Sequence, residues 1–234
     1  RPEYLKRAEG NVDRAHVEEV DDSIGRVLQT LKDLKLDRNT LVIFTSDNGA
    51  ASGMSSGPLR GGKGGPKYEG HMRVPTLAWW PGTIPAGSIS KEIGVTTDLL
   101  PSLAKLTGSK VPDDRIIDGK DISDVLLGKK DAQSQHQLHY YENEGIRRGD
   151  WKLVKKGSRS ELYDLSKDPG ERKDLSRSHP ELVKELDRAL QKHAASIAAN
   201  LRPAGFAKHP KPILREVGDL PTLKQYLVKQ EQAP

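Results

Sequence analysis

Residues 40–49 read Thr40-Leu41-Val42-Ile43-Phe44-Thr45-Ser46-Asp47-Asn48-Gly49. The nearly continuous apolar run predicts a strand over residues 41–46 that is covered on both faces, as in a mixed or parallel sheet under helices. Because α/β sheets bind ligands where strands end, Asp47 and Asn48 are candidate metal ligands. Their oxygens suit calcium, with magnesium as the second choice. Taken alone, an Asp-Asn-Gly tripeptide also predicts an ordinary turn.

A long loop rich in glycine, serine and proline follows this strand, over residues 49–67. Loops of this length inside a compact domain are usually functional or mobile. Lys63 lies between glycines, which have no Cβ and therefore let the backbone approach a ligand closely. The lysine ammonium is a compact cation that can bind an oxyanion such as sulfate or phosphate. The alternative for Lys63 is a solvated loop lysine.

The rest of the chain predicts an α/β part followed by a small antiparallel sheet. Apolar residues at steps of three and four predict helices over residues 12–36 and 98–107, and a second strand is expected over 74–80. Short apolar segments separated by turn residues predict strands near 138–141, 145–148, 151–154 and 161–163. A helix opens at Pro180 and runs to about Ala199. We expect three segments: 1–130, 131–200 and an extended tail, 201–234.

Composition excludes several classes of protein. The chain has 234 residues and a net charge of +5, from 38 basic and 33 acidic residues. Aromatic residues make up 5 % and do not alternate with basic ones, so a nucleic-acid partner is not expected. There is no cysteine, so neither a disulfide nor a zinc-thiolate site is predicted. No apolar run approaches membrane-spanning length.

An ordered set of motifs resembles the type I sulfatases, the arylsulfatase-like hydrolases of the alkaline-phosphatase superfamily, over about residues 12–190. The strand and its Asp-Asn pair resemble the metal strand of that family. The other motifs, in chain order, are Leu59-Arg60-Gly61-Gly62-Lys63-Gly64, Tyr68-Glu69-Gly70, Trp80-Pro81-Gly82, Asp98-Leu99-Leu100-Pro101, Asp118-Gly119 and Glu161-Leu162-Tyr163-Asp164-Leu165.

The resemblance implies an α/β fold: part of an alkaline-phosphatase-like α/β/α sandwich, then a small antiparallel sheet with a C-terminal helix. It implies a sulfuric ester hydrolase in which Asp47 and Asn48 hold calcium and Lys63 contacts a sulfate oxygen. His139, on the small sheet, is a further candidate for substrate binding, against the alternative of an ordinary strand residue. The expected substrate is a sulfated small molecule or glycan.

By the same resemblance, the nucleophile is a formylglycine made from cysteine or serine in a Cys/Ser-x-Pro-x-Arg motif. We expect that motif to lie in an N-terminal part outside this chain, so the stretch alone is expected to be inactive. Family members of this type are secreted, periplasmic or lysosomal. Two alternatives stay open: a phosphoester or phosphonate hydrolase of the same superfamily, and a non-catalytic anion-binding fragment.

Overall fold

The computed structural model describes residues 1–51 and 53–201. The chain divides into one compact unit, Arg1–Ala199, and a second, Asn200–Pro234. The predicted extended tail, 201–234, lies outside the described residues apart from Leu201. The predicted boundary at residue 130 falls within the first unit and stays a prediction.

The first part of the chain is a helix–strand layer. Its elements are α1 Pro2–Arg7, α2 Val12–Asp33, β1 Val42–Thr45, α3 Glu69–Met72, β2 Thr76–Trp79, α4 Leu99–Thr107 and α5 Ser123–Leu126. Helix α2 begins after Asn11, whose side chain accepts a hydrogen bond from the Arg14 N–H at 2.9 Å, which satisfies a free N–H of the first turn. Helix α4 ends at Gly108, in the left-handed conformation that closes many helices. Both predicted helices are confirmed.

Strands β1 and β2 pair in antiparallel fashion, with Val42 opposite Trp79 and Thr45 opposite Thr76. This pair therefore excludes an all-parallel sheet here and agrees with a mixed one. An apolar run indicates that a strand is buried, but it does not indicate the direction of the neighbouring strand. The sequence therefore could not distinguish parallel from antiparallel pairing. Phe44 is 37 % exposed and Leu77 is 60 % exposed. The expected cover on both faces is therefore incomplete within the described residues.

The second part is a four-stranded antiparallel sheet with a long helix, as the sequence predicts. Its elements are β3 His139–Tyr141, β4 Gly145–Arg148, β5 Trp151–Lys156, β6 Arg159–Asp164 and α6 Pro180–Ala199. The strands follow one another in chain order across the sheet. Among the described residues, no helix combines the length and apolar character needed to cross a membrane.

Each face of this small sheet has its own core. On one face, Leu153 and Leu162 are fully buried in a cluster with Leu186 and Leu190 of α6. On the other face, a second cluster contains Tyr68, Val154, Tyr163 and Leu165. Because side chains alternate across a strand, the neighbouring residues of β5 point to these two opposite sides. The small sheet therefore lies between α6 and the segment that precedes α3.

Candidate functional site

The turn after β1 and residues 59–70 around Lys63, here called the lysine loop, are joined through their backbones. The N–H of Lys63 donates to the carbonyl of Ala50 at 2.9 Å. A methyl group on Gly62 would lie only 2.6 Å from that carbonyl oxygen, so the approach needs a glycine. Asp47 and Asn48 stand a few residues before Ala50 in the same turn. The structure thus brings the predicted metal pair and the predicted sulfate-binding lysine into one region.

Helix α3 is interleaved with the same two segments. The N–H of Gly49 donates to the His71 carbonyl at 2.8 Å, and that of Gly70 donates to the Arg60 carbonyl at 2.8 Å. A methyl group on Gly49 would lie 1.8 Å from the Gly70 carbonyl oxygen. A methyl group on Gly70 would lie 2.5 Å from the Arg60 oxygen. Side chains are excluded here because three backbone segments meet.

The predicted site side chains are free to meet a ligand. Asp47 and Lys63 are exposed and Asn48 is half-buried. Within residues 1–51 and 53–201, none of these three side chains has a hydrogen-bond or ion-pair partner. The carbonyl of Asn48 accepts a hydrogen bond from the Ser46 hydroxyl at 2.9 Å, which closes the turn around the pair. The backbone is thus fixed while the functional groups stay open.

Asp47 and Asn48 supply one carboxylate and one amide oxygen. Calcium takes six to eight oxygen ligands, so the pair fits its chemistry but would be only part of its coordination shell. No group of three or more His, Cys, Asp or Glu side chains suited to a metal occurs in the described residues. Calcium ligation by this pair stays a prediction.

The pattern Cys/Ser-x-Pro-x-Arg, expected to lie outside this chain, is matched within it by Ser56-Gly57-Pro58-Leu59-Arg60. The structure uses both ends of this stretch to hold the loop. The Ser56 hydroxyl donates to the Gly70 carbonyl at 2.9 Å, and the Arg60 guanidinium donates to the Tyr163 hydroxyl at 3.0 Å. Both side chains are bonded within the fold. The matched stretch, residues 56–60, is therefore a structural segment that leads into the lysine loop.

His139 lies on β3, at the first position of that strand. Its ring meets that of Tyr141 edge-on, with 4.5 Å between centroids. Burial lowers the pKa of His139 to about 4, so its imidazole is neutral near neutral pH. No hydrogen bond or ring contact joins His139 to Lys63 in the described part of the chain. Substrate binding by His139 stays a prediction.

The neighbouring His136 lies in a polar stretch of the sequence, but the structure buries its side chain. Its side chain is 9 % exposed. Nε2 lies 2.9 and 2.8 Å from the two carboxylate oxygens of Asp98. Asp98 also accepts the N–H of Val95 and that of Lys120, so it braces the start of α4. Buried polar groups need such partners, which a polar sequence neighbourhood does not reveal.

A buried charge network joins α3 to the small sheet. The Lys152 ammonium lies 2.8 Å from Glu69 Oε1 and 3.1 Å from Glu171 Oε1, and all three side chains are almost fully buried. Burial acts to raise the pKa of Glu69, but Lys152 outweighs it and the net shift is downward. Burial raises the pKa of Glu171. Neither Lys152 nor Glu171 stands in a motif that would mark it as a site residue in the sequence.

A second contact holds the other end of the lysine loop to the same sheet face. The Arg60 guanidinium stacks on the Tyr68 ring, 3.9 Å from its centroid. The hydroxyls of Tyr68 and Tyr163 both donate to Glu161 Oε2, at 2.5 and 2.8 Å. Cation–π stacking and shared hydrogen bonds of this kind fix a side chain in one orientation. Arg60 and Tyr68, on either side of Lys63, thus both have partners on β6.

Two family sequence models match the chain. Residues 11–109 match the family described as Sulfatase, and residues 66–196 match the one described as N-sulphoglucosamine sulphohydrolase, C-terminal. The second match spans more than half of the chain.

Curated relatives agree with this match. The chain is 42 % identical to N-acetylgalactosamine-6-sulfatase of Canis lupus familiaris over 137 residues, which cover 56 % of this chain and 26 % of the relative. It is 33 % identical to steryl-sulfatase of Mus musculus, across 85 % of this chain and 39 % of the relative. The chain therefore spans between about a quarter and two fifths of the length of these relatives.

Solved structures share the fold. The PsFucS1 sulfatase from Pseudoalteromonas sp. has a TM-score of 0.70 at 27 % identity, over 80 % of this chain and 43 % of its own. BT4656, solved in complex with its substrate D-glucosamine-2-N,6-O-disulfate, has a TM-score of 0.62 at 27 % identity, over 80 % and 40 %. The alkaline-phosphatase-like fold expected from the sequence is thus confirmed. The chain belongs to the type I sulfatase family and matches the C-terminal part of that family.

Proposed function

We propose that this chain supplies the metal-binding turn and the sulfate-binding lysine loop of a sulfuric ester hydrolase. The observation that carries the proposal is the hydrogen bond from the Lys63 N–H to the Ala50 carbonyl, at 2.9 Å. This bond holds a lysine with an exposed side chain next to the turn of Asp47 and Asn48. A cation and two hard oxygen ligands in one region suit a tetrahedral oxyanion that is bound together with a divalent metal.

Lys63 would bind a non-bridging sulfate oxygen. Its ammonium would stabilise the negative charge that grows on the sulfate group and its leaving oxygen as the ester bond breaks. Asp47 and Asn48 would hold calcium together with ligands from outside the described residues. When bound, calcium would supply positive charge that neutralises the sulfate oxygens. The formylglycine nucleophile is expected from outside this chain, on the resemblance alone.

A sulfated sugar is the substrate class that we favour. One relative is named N-acetylgalactosamine-6-sulfatase and one structural neighbour holds a disulfated glucosamine. Another relative is named steryl-sulfatase. The relatives therefore support a sulfate ester as the substrate more firmly than they support any particular alcohol part of that ester. In this proposal Lys63 and the Asp-Asn pair serve only the sulfate end of the substrate, which agrees with relatives that differ in the rest of the substrate.

The test is Lys63→Ala in the full-length protein, assayed with a sulfate ester and a phosphate monoester of the same aryl alcohol. Removing one preorganised positive contact in the transition state should lower kcat by about 10²–10³-fold. Lys67→Ala is the matched control, because Lys67 lies in the same loop but pairs with Glu142 at 3.2 Å. Its rate should stay near that of the wild type.

Three results would contradict the proposal. A near-normal rate for Lys63→Ala would remove the role given to this lysine. Faster turnover of the phosphate ester than the sulfate ester would favour the phosphohydrolase alternative. Binding of sulfated sugars by the wild type without any turnover would favour the anion-binding alternative.

A further inference from the structure

Glu171 makes contact with both ends of the lysine loop, in addition to its contact with Lys152. Its carboxylate Oε2 accepts the backbone N–H of Glu69 at 2.5 Å. Its own carbonyl accepts a hydrogen bond from the Arg60 guanidinium at 2.7 Å. Arg60 and Glu69 flank Lys63 in the sequence, so one residue of the second part of the chain spans the base of the loop.

Glu69 is fixed through its side chain as well as its backbone. Its Oε1 accepts hydrogen bonds from the Lys152 ammonium at 2.8 Å and from the Tyr141 hydroxyl at 3.0 Å. Because Lys152 also lies 3.1 Å from Glu171, the lysine holds the two carboxylates together. These contacts define a brace, here meaning Glu69, Lys152 and Glu171.

Stability alone gives a weak reason for such a brace. Buried ion pairs lose solvation, and well-packed apolar residues in their place are often as stabilising. Glu171 also adopts φ of +51°, a left-handed conformation in which glycine would be favoured. Strained backbone and buried charge are commonly retained where a geometry must be kept for function.

The brace is transmitted to the lysine by short backbone links. Gly70, the next residue after Glu69, donates its N–H to the Arg60 carbonyl at 2.8 Å. That bond draws the two ends of the loop together. Lys63, three residues after Arg60, is then fixed on its other side by the Ala50 carbonyl. A shift of Glu69 would therefore move the backbone from which the Lys63 side chain extends.

We propose that Lys152 and Glu171 are positioning residues for the reaction of Lys63, acting through Glu69 and without touching the substrate. The small sheet would then serve catalysis by holding the lysine loop, in addition to closing the fold. This inference rests on the proposed function.

The experiment compares three variants of the full-length protein in the sulfate ester assay. Glu171→Ala removes the acceptor for the Glu69 N–H and should lower kcat by up to about a hundredfold, the loss expected from a misplacement of about 1 Å. Glu171→Gln keeps an oxygen acceptor in that position and should recover most of the rate. Leu190→Ala, in the core on the opposite sheet face, is the control for general destabilisation.

The decisive measurement is the double variant Lys63→Ala/Glu171→Ala. If Glu171 acts through Lys63, the double variant should be no slower than Lys63→Ala alone, because the effects of coupled residues do not add. Additive losses would overturn the inference, as would a loss in Glu171→Ala no larger than that in Leu190→Ala.

Hydrogen exchange of residues 59–70 separates this inference from the proposed function, because it needs no turnover. Glu171→Ala should exchange faster than the wild type across this segment, while Leu190→Ala should not. Unchanged exchange in Glu171→Ala refutes the brace even if the enzyme hydrolyses sulfate esters. If Glu171→Ala exchanges faster than the wild type, but the wild type itself does not hydrolyse sulfate esters, the brace is supported and the proposed function is rejected.

Discussion

The turn that contains Asp47 and Asn48 is in close contact with helix α3, and Gly49→Ala tests this contact directly. The added methyl group would lie 1.8 Å from the Gly70 carbonyl oxygen, 2.8 Å from the Gly70 carbonyl carbon and 3.0 Å from the Cα of His71. All three atoms belong to the backbone, so no side chain can rotate away. The turn and the helix must move apart by more than 1 Å to restore ordinary contact distances of about 3.4 Å or more.

The cost follows from two losses. Forcing an extra methyl group into a packed site costs about 1–3 kcal/mol. Separation of the segments also breaks the 2.8 Å hydrogen bond from the Gly49 N–H to the His71 carbonyl, which adds about 0.5–1.5 kcal/mol. We therefore expect the free energy of unfolding to fall by about 2–4 kcal/mol in total.

Urea unfolding of the full-length protein and its sulfate ester kinetics are the two assays. Asp47 and Asn48 stand immediately before Gly49, so a displacement of about 1 Å should also lower kcat by about a hundredfold. Gly25→Ala is the matched control. In the described part of the chain, no atom outside the adjoining helix backbone lies within 4 Å of a methyl group at that position of α2, and alanine should stabilise the helix by about 0.5–1 kcal/mol.

Equal stability and activity for Gly49→Ala and Gly25→Ala would refute the reasoning. It would mean that the turn and α3 are not in the contact that the structure shows, and the joint site of Lys63 and the Asp-Asn pair would lose its basis.

Two further predictions concern single side chains of the candidate site. Burial lowers the pKa of His139 to about 4 from 6.5. On acidification the unfolded chain therefore takes up the proton before the folded chain does. The free energy of unfolding should fall by about 2 kcal/mol between about pH 7 and about pH 5. His139→Gln should remove that part of the pH dependence in urea unfolding, and an unchanged pH dependence would contradict the prediction. Asp47→Ala should weaken calcium binding in titration calorimetry while leaving the midpoint of urea unfolding in chelator unchanged, because the Asp47 side chain is exposed. Unchanged calcium affinity would show that Asp47 is not a ligand.

The elements that the sequence predicts well are those whose own residues carry the signal. Helix α6 shows its apolar face at helical spacing, and the four short strands of the small sheet are separated by turn residues. Local chemistry was enough in these cases. The glycines around Lys63 indicate room for a ligand, which stays a prediction; at Gly62 the structure shows a close approach to the Ala50 backbone instead.

The contacts that complete the site depend on residues far apart in the chain. Lys152 is separated by 83 residues from Glu69, with which it pairs. In the sequence, Lys152 stands in an ordinary strand pattern, where a lysine is normally solvated. Its burial follows from the packing of α3 on that face of the sheet, which no local pattern encodes. The antiparallel pairing of β1 with β2 escaped prediction for the same reason.

The brace also sets an order of events during synthesis. Glu171 follows Glu69 by 102 residues, so at about 5–20 residues per second the ribosome delivers it roughly 5–20 s later. During that interval Asp47, Asn48 and Lys63 already exist in the nascent chain, but the loop between them has no partner at its base. A polypeptide cut short before residue 171 would thus retain every predicted ligand and lack the support that aligns them.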